Sequence, residues 1–116
     1  MNRLLQRSGG DRAVLTLGPL RVDLKQRVAW AKEVGLSLGK KEFDILVVLL
    51  KRVGEVVTRN DLLDAFGEGG EIYDRTIDSH LSHLRKKMRT AGLAEILISP
   101  VYGVGYRLEY RPLQSK

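Results

Sequence analysis

The chain has 116 residues, no cysteine, and 20 Lys plus Arg against 14 Asp plus Glu, for a formal charge of +6. That length suits one domain burying roughly two-thirds of its unfolded surface, and the absence of cysteine excludes disulfide frameworks, thiolate metal sites, zinc fingers and cysteine nucleophiles together. The basic excess suits a polyanionic partner: nucleic acid, an anionic membrane or an acidic protein.

The opening "MNRLLQRSGG" reads as a short basic amphipathic fragment running into a Ser-Gly-Gly linker. From Val14, the runs "VLTLG", "LRVDL", "RVAWA" and "GLSLG" are spaced by Gly, Pro and charged residues, as in a meander of antiparallel strands. Trp30 is expected to pack from this sheet onto the next part of the chain. Lys40 to Val53 predicts a helix, with Phe43, Leu46, Leu50 and Val53 at steps of three and four and with Ile45 and Leu49 widening the stripe. Gly39 serves as its N-cap, and Glu42 supplies early negative charge favoured by the helix dipole. The apolar run from Ile45 to Leu50 is far short of the ~20 residues that a membrane span needs, and no signal-peptide pattern precedes it, so a cytoplasmic location is expected.

A turn at Gly54 leads to a short second helix ending at Gly67, started by the capping pair Thr58 and Asp61 and turning Leu62, Leu63 and Phe66 inward. "GEGGEIY", residues 67 to 73, is a connecting loop. A third helix lies in "DRTIDSHLSHLRKKMR". Finally "ILIS", a Pro-containing bend through "PVYGVG", and "YRLEY" predict two strands joined as a hairpin, with permissive glycines at Gly103 and Gly105. Tyr106 reads as core, and Arg107 is open between a phosphate contact and a salt bridge.

Stepping about 100° per residue from Leu81 places Ile77, Leu84 and Met88 within about 60° of it as a buried stripe. Arg75, Ser79, Ser82, His83, Lys86 and Lys87 fall on the far side, with His80, Arg85 and Arg89 at the edges. That outward face is small and basic, with no carboxylate at its centre; Asp74 and Asp78 sit toward the helix N-terminus, where the dipole favours them. A solvated face is the plain alternative. A short helix, a loop and then a longer helix with small polar and cationic residues outward is, however, the helix-turn-helix order, and a hairpin behind it makes a wing.

The stretches "LGKKEFDILVVLLKRVGEVVTRNDLLDAF", "DRTIDSHLSHLRKKM" and "GVGYRL" resemble, in order and spacing, the DNA-binding effector domain of OmpR/PhoB-family two-component response regulators. The resemblance runs from about Val14 to Tyr110. It implies an α+β winged helix-turn-helix: an N-terminal four-stranded antiparallel sheet, three helices and a C-terminal β-hairpin wing. "RLLQR" is similar to the end of a receiver domain's last helix, which makes 1–13 a linker from a missing receiver, 14–112 the winged-helix domain and 113–116 a tail. Matching positions imply phosphate contacts at Arg75, His80, Ser82 and Arg85, and base contacts at Ser79 and His83. The helical wheel adds Lys86 to the base readers and Lys87 to the phosphate contacts. Where the family wing reads Thr-Val-Arg-Gly, this chain has Ser99-Pro100-Val101-Tyr102, so an aromatic ring replaces a cation; Tyr102 and Arg107 are the wing candidates. His83 stands where an Arg is common and can reach guanine N7 or O6 without Arg's two-pronged fork.

The implied function is sequence-specific binding of double-stranded DNA by the output domain of a phosphorylation-controlled transcription regulator, with helix 75–89 in the major groove. Implied partners are a second copy on a direct-repeat site, the receiver domain and RNA polymerase, the last through Glu68 and Glu71. The alternatives are a protein-protein adaptor and a nonspecific architectural or RNA binder. Catalysis is not expected: Asp78-Ser79-His80 has the letters of a hydrolytic triad, but adjacent helical residues diverge by about 100°. His80 and His83 lack a carboxylate in register for a metal, and Gly103-Val104-Gly105 lacks the third glycine of a dinucleotide loop. Neither metal nor cofactor is expected.

Overall fold

The computed structural model describes residues 13–66 and 74–112, and side chains 66 and 74–76 are outside that description. Residues 1–12 of the expected linker, the tail and the loop carboxylates Glu68 and Glu71 lie outside the described residues. Four strands, β1 (Val14–Leu17), β2 (Leu20–Asp23), β3 (Val28–Ala31) and β4 (Val34–Leu36), form an antiparallel sheet in chain order. Alternation along them sends Leu20, Val22, Ala29 and Ala31 into the core. Trp30 does not join them: Ala29 and Ala31 hold the inward places of β3, so the indole lies on the opposite face, with the Arg21 guanidinium 4.7 Å from its ring. Arg27, in the turn before β3, adopts a left-handed φ of 56°. Its guanidinium ties that turn to the next element, donating to Asp44 at 2.8 Å and lying 4.5 Å over the Phe43 ring.

Helix α1 (Lys40–Lys51) begins as the sequence suggests but stops before Val53, which is 39% exposed. The Arg52 amide bonds to Leu49 at 3.1 Å in a tightened last turn, and Gly54, at φ 84°, redirects the chain while its amide bonds to Leu108. The chain then enters a strand that sequence periodicity does not announce, β5 (Val56–Thr58). Helix α2 (Arg59–Phe66) starts directly after it. Thr58 and Asp61 close the expected capping box reciprocally: each side chain accepts the other's backbone N–H at 3.1 Å. Helix α3 (Asp74–Thr90) precedes the strands β6 (Ile96–Val101) and β7 (Gly105–Tyr110).

The expected hairpin is therefore two-thirds of a three-stranded sheet in the order β5-β7-β6. Nor does Pro100 bend the chain; it stays within β6 opposite Tyr106. Proline is tolerated there because β6 is an outer strand, whose far side needs no donor. The core joins both sheets to the helices through Phe43, Ile45, Leu46 and Leu49 of α1, Leu62 of α2 and Leu108 of β7. Tyr110, at the end of β7, packs so closely on Gly18 in the β1–β2 turn that any side chain at Gly18 would overlap its ring.

Gly105 is needed for a different reason. A methyl group there would run into the Val57 carbonyl and the Thr58 Cα, so β7 can approach β5 only because this residue has no side chain. Gly105→Ala is expected to destabilise the fold by about 1–3 kcal/mol in urea unfolding and to shift the amide resonances of Val57 and Thr58. An unchanged midpoint with unshifted resonances would mean that the two strands are not in this contact.

Candidate nucleic-acid interface

Helix α3 divides as its periodicity requires. Ile77, Leu81, Leu84 and Met88 are buried, none more than 3% exposed. Because the helix turns about 100° per residue, the residues between them are forced outward. Ser79, Ser82, His83, Arg85, Lys86 and Arg89 are exposed, and His80 and Lys87 are half-buried. The candidate base readers Ser79, His83 and Lys86 thus share a solvent-facing surface with the candidate phosphate contacts Ser82 and Arg85. Arg75 lies in the first turn of α3, but its side chain is outside the described residues.

The helical wheel, which counts only the residues of α3, leaves out a carboxylate that another helix brings to one edge of this surface. Glu42, from the first turn of α1, is buried against α3. Its Oε1 accepts from Lys87 Nζ at 2.7 Å and from the Gly39 amide at 2.8 Å, and its Oε2 lies 4.0 Å from His83 Nδ1. Lys87 therefore serves α1 as well as the surface, and His83, with its side chain 63% exposed, faces a carboxylate on one side and solvent on the other.

The hairpin stands beside the same helix. Arg85, Met88 and Arg89 of α3 and Ile96, Ile98 and Ser99 of β6 line one shared groove of about 300 Å³. At the turn between β6 and β7, Tyr102 is 99% exposed and Val104 50% exposed, with Gly103 in the left-handed region at φ 77°. The wing tip is thus aromatic and aliphatic. Arg107, left open by the sequence, is half-buried and paired with Glu109 at 3.5 Å. Tyr106 is core, as expected, at 7% exposure, with its phenol bonded to Asp78. Arg59 of α2 reaches the same carboxylate at 2.8 Å.

Arg59, Asp78 and Glu42 are the site residues that sequence pattern does not reveal as tertiary partners. Arg59 is 19 positions from Asp78 and 47 from Tyr106, and no local pattern signals either pairing. Among the described residues, no helix is long and apolar enough to cross a membrane.

Residues 32–108 match the family model described as "Transcriptional regulatory protein, C terminal". The chain is similar to the sensory transduction protein RegX3 of Mycolicibacterium smegmatis, at 34% identity over 103 residues, covering 88% of this chain and 45% of that protein. It spans about half the length of the curated relatives it matches. Among the solved structures that share its fold are two of complexes. One is the DNA-binding domain of the response regulator AdeR in complex with an intercistronic region, at TM-score 0.74 and 29% identity, covering 84% of this chain and 99% of that one. The other is the Klebsiella pneumoniae RstA DNA-binding domain in complex with the RstA box, at TM-score 0.68 and 28% identity, covering 86% and 98%.

Glu42 also gives the α1–α3 contact a pH signature. Burial pushes its carboxyl pKa up, but the Lys87 ammonium, the Gly39 amide and the nearby His83 outweigh burial and hold it below its ordinary value. A carboxyl lowered in the folded state contributes stability above the ordinary carboxylate range, and that stability is lost as the pH falls through the lowered value. Glu42→Gln is expected to cost on the order of 1 kcal/mol at neutral pH and to flatten the fall in urea midpoint between about pH 5 and 3. If wild type and variant lose stability in parallel over that range, the Glu42 linkage is wrong.

Proposed function

Because this chain belongs to the family of transcriptional regulatory protein C-terminal domains, of OmpR/PhoB type, we propose that it binds double-stranded DNA sequence-specifically through α3 in the major groove. The observation that carries this reading is the division of α3 into a buried apolar stripe and an exposed face of Ser79, Ser82, His83, Arg85 and Lys86. An α-helix fits the major groove, where hydroxyl, imidazole and ammonium groups meet base edges and phosphates. In the proposed division of labour, Ser79, His83 and Lys86 read bases. Arg75, His80, Ser82 and Arg85 neutralise or hydrogen-bond phosphates, and Lys87 contributes while remaining tied to Glu42.

The wing would meet the duplex beside the helix with an aromatic ring at its tip, since Tyr102 is fully exposed and Arg107 is engaged with Glu109. Such a contact adds surface without adding charge. The match to one part of longer regulators supports a further reading: an output domain, joined through residues 1–13 to a receiver that controls it by phosphorylation, acting in the cytoplasm. Two copies on a direct repeat, and an approach of RNA polymerase to Glu68 and Glu71, belong to the same proposal. Receiver pairing would raise the effective concentration of the second copy, so the isolated domain binds more weakly than the linked protein.

Selecting bound duplexes from a random pool tests the reading and yields the site. On that site, log affinity should fall linearly with log salt, as cation release from phosphates requires. A chain that retains no duplex at modest salt would instead be a protein-protein adaptor, and equal affinity for random DNA or structured RNA would make it an architectural binder. His83→Ala should cost about 1–3 kcal/mol on the selected site and much less on random sequence. Equal losses on both would move His83 to the backbone contacts.

A further inference from the structure

The two parts of the surface proposed to meet DNA, α3 and the wing, are joined by a small polar junction. Asp78 directly precedes Ser79 in α3, and Tyr106 lies in β7 just after the wing turn. The Tyr106 phenol donates to Asp78 Oδ1. Arg59 Nη2, from the first residue of α2, donates to the same oxygen at 2.8 Å and to the Tyr106 hydroxyl at 3.3 Å, with its guanidinium 5.5 Å from the ring centroid. Three elements therefore meet at one carboxylate oxygen. Gly105, one residue earlier in β7, is seated on the backbone of β5. The base of the wing is thus held from two sides.

Exposure decides what this junction contributes. The side chains of Asp78 and Arg59 are 47% and 34% exposed, and ion pairs of that kind add little to folding stability. The junction nevertheless places an acid on the helix that carries the cationic surface, one residue from a candidate base reader. Left unpaired, that acid would repel phosphates; Arg59 neutralises it and the phenol fixes its direction. Burial first, and then the Asp78 carboxylate, raise the Tyr106 pKa, so the phenol keeps its proton and remains the donor.

We infer that Asp78, Tyr106 and Arg59 are positioning residues that lock the base of the wing to α3, so that groove contacts by the helix and contacts by the wing are made as one rigid unit. This rests on the DNA-binding reading above. A unit already assembled avoids the cost of ordering the wing on binding.

The test compares the unmutated chain, Tyr106→Phe, Asp78→Asn and the double variant on the selected duplex, each well below its own unfolding midpoint. Dimethyl sulfate protection reports guanine N7 under α3, and hydroxyl-radical protection reports the sugars beside the wing. Tyr106→Phe changes no charge, so a merely electrostatic role leaves its affinity unmoved. As a positioning residue it should lose about tenfold in cognate affinity and the wing protection while keeping the guanine protection. The double variant should lose no more than the worse single variant. For Asp78 the sign is decisive: an acid that only repels phosphate gives tighter binding to every duplex when changed to Asn, whereas a positioning acid gives weaker binding to the cognate one. Wild-type footprints in Tyr106→Phe, tighter binding by Asp78→Asn, or an unmutated chain that leaves no wing footprint would each overturn the inference. Should Tyr106→Phe not fold, Asp78→Asn alone still carries the test through its sign. An unmutated chain that binds no duplex at all defeats the DNA-binding reading itself, a result separate from any variant's behaviour.

Discussion

Everything on the outer surface of α3 depends on the burial of its inner one. Ile77, Leu81, Leu84 and Met88 are held in a core shared with α1, α2 and both sheets, and their spacing leaves the helix no freedom to rotate. Rotation by one residue would move the whole stripe by about 100° and expose several large apolar side chains, each worth roughly 1.5–3 kcal/mol of burial. That penalty fixes which side chains face outward. Their chemistry is then a matter of what evolution writes in positions the core does not claim.

Electrostatics refine this arrangement without producing it. Glu42 is the buried charged residue of the described chain, and it is bonded on both sides, to the Gly39 amide that opens α1 and to Lys87 of α3. It therefore caps one helix and tethers another with a single carboxylate. Arg27 does comparable work for the N-terminal sheet, where a residue with a left-handed backbone reaches α1 through both an ion pair and a ring face. In each case a polar side chain links elements whose apolar contacts already exist, which adds angular definition more than free energy.

The parts of this molecule written in local periodicity are legible from residue order. The four short strands before Gly39, the α3 stripe and the reciprocal capping by Thr58 and Asp61 all depend on residues within one or two turns of each other. The departures have a common physical source in partners far along the chain. Strand β5 is three residues long and borders a helix, so nothing in "VVT" distinguishes it from a lead-in; only pairing with β7, about fifty residues later, makes it a strand. For Trp30, size suggests an inward position that alternation gives to Ala29 and Ala31. Glu42 is legible as a dipole partner and illegible as a tether, since Lys87 is 45 positions away. At the candidate interface, residue types are readable while the junction of Arg59, Asp78 and Tyr106 is not, because three separate elements build it.

Pro100 has a consequence beyond the hairpin it occupies. β6 is an outer strand of its sheet, and an outer strand with free amides is a template onto which another molecule's strand can add. Proline interrupts the row of donors on such an edge. Molecules crowded side by side therefore meet a margin that resists sheet-to-sheet fusion, and this strand is guarded against polymerisation by one missing hydrogen.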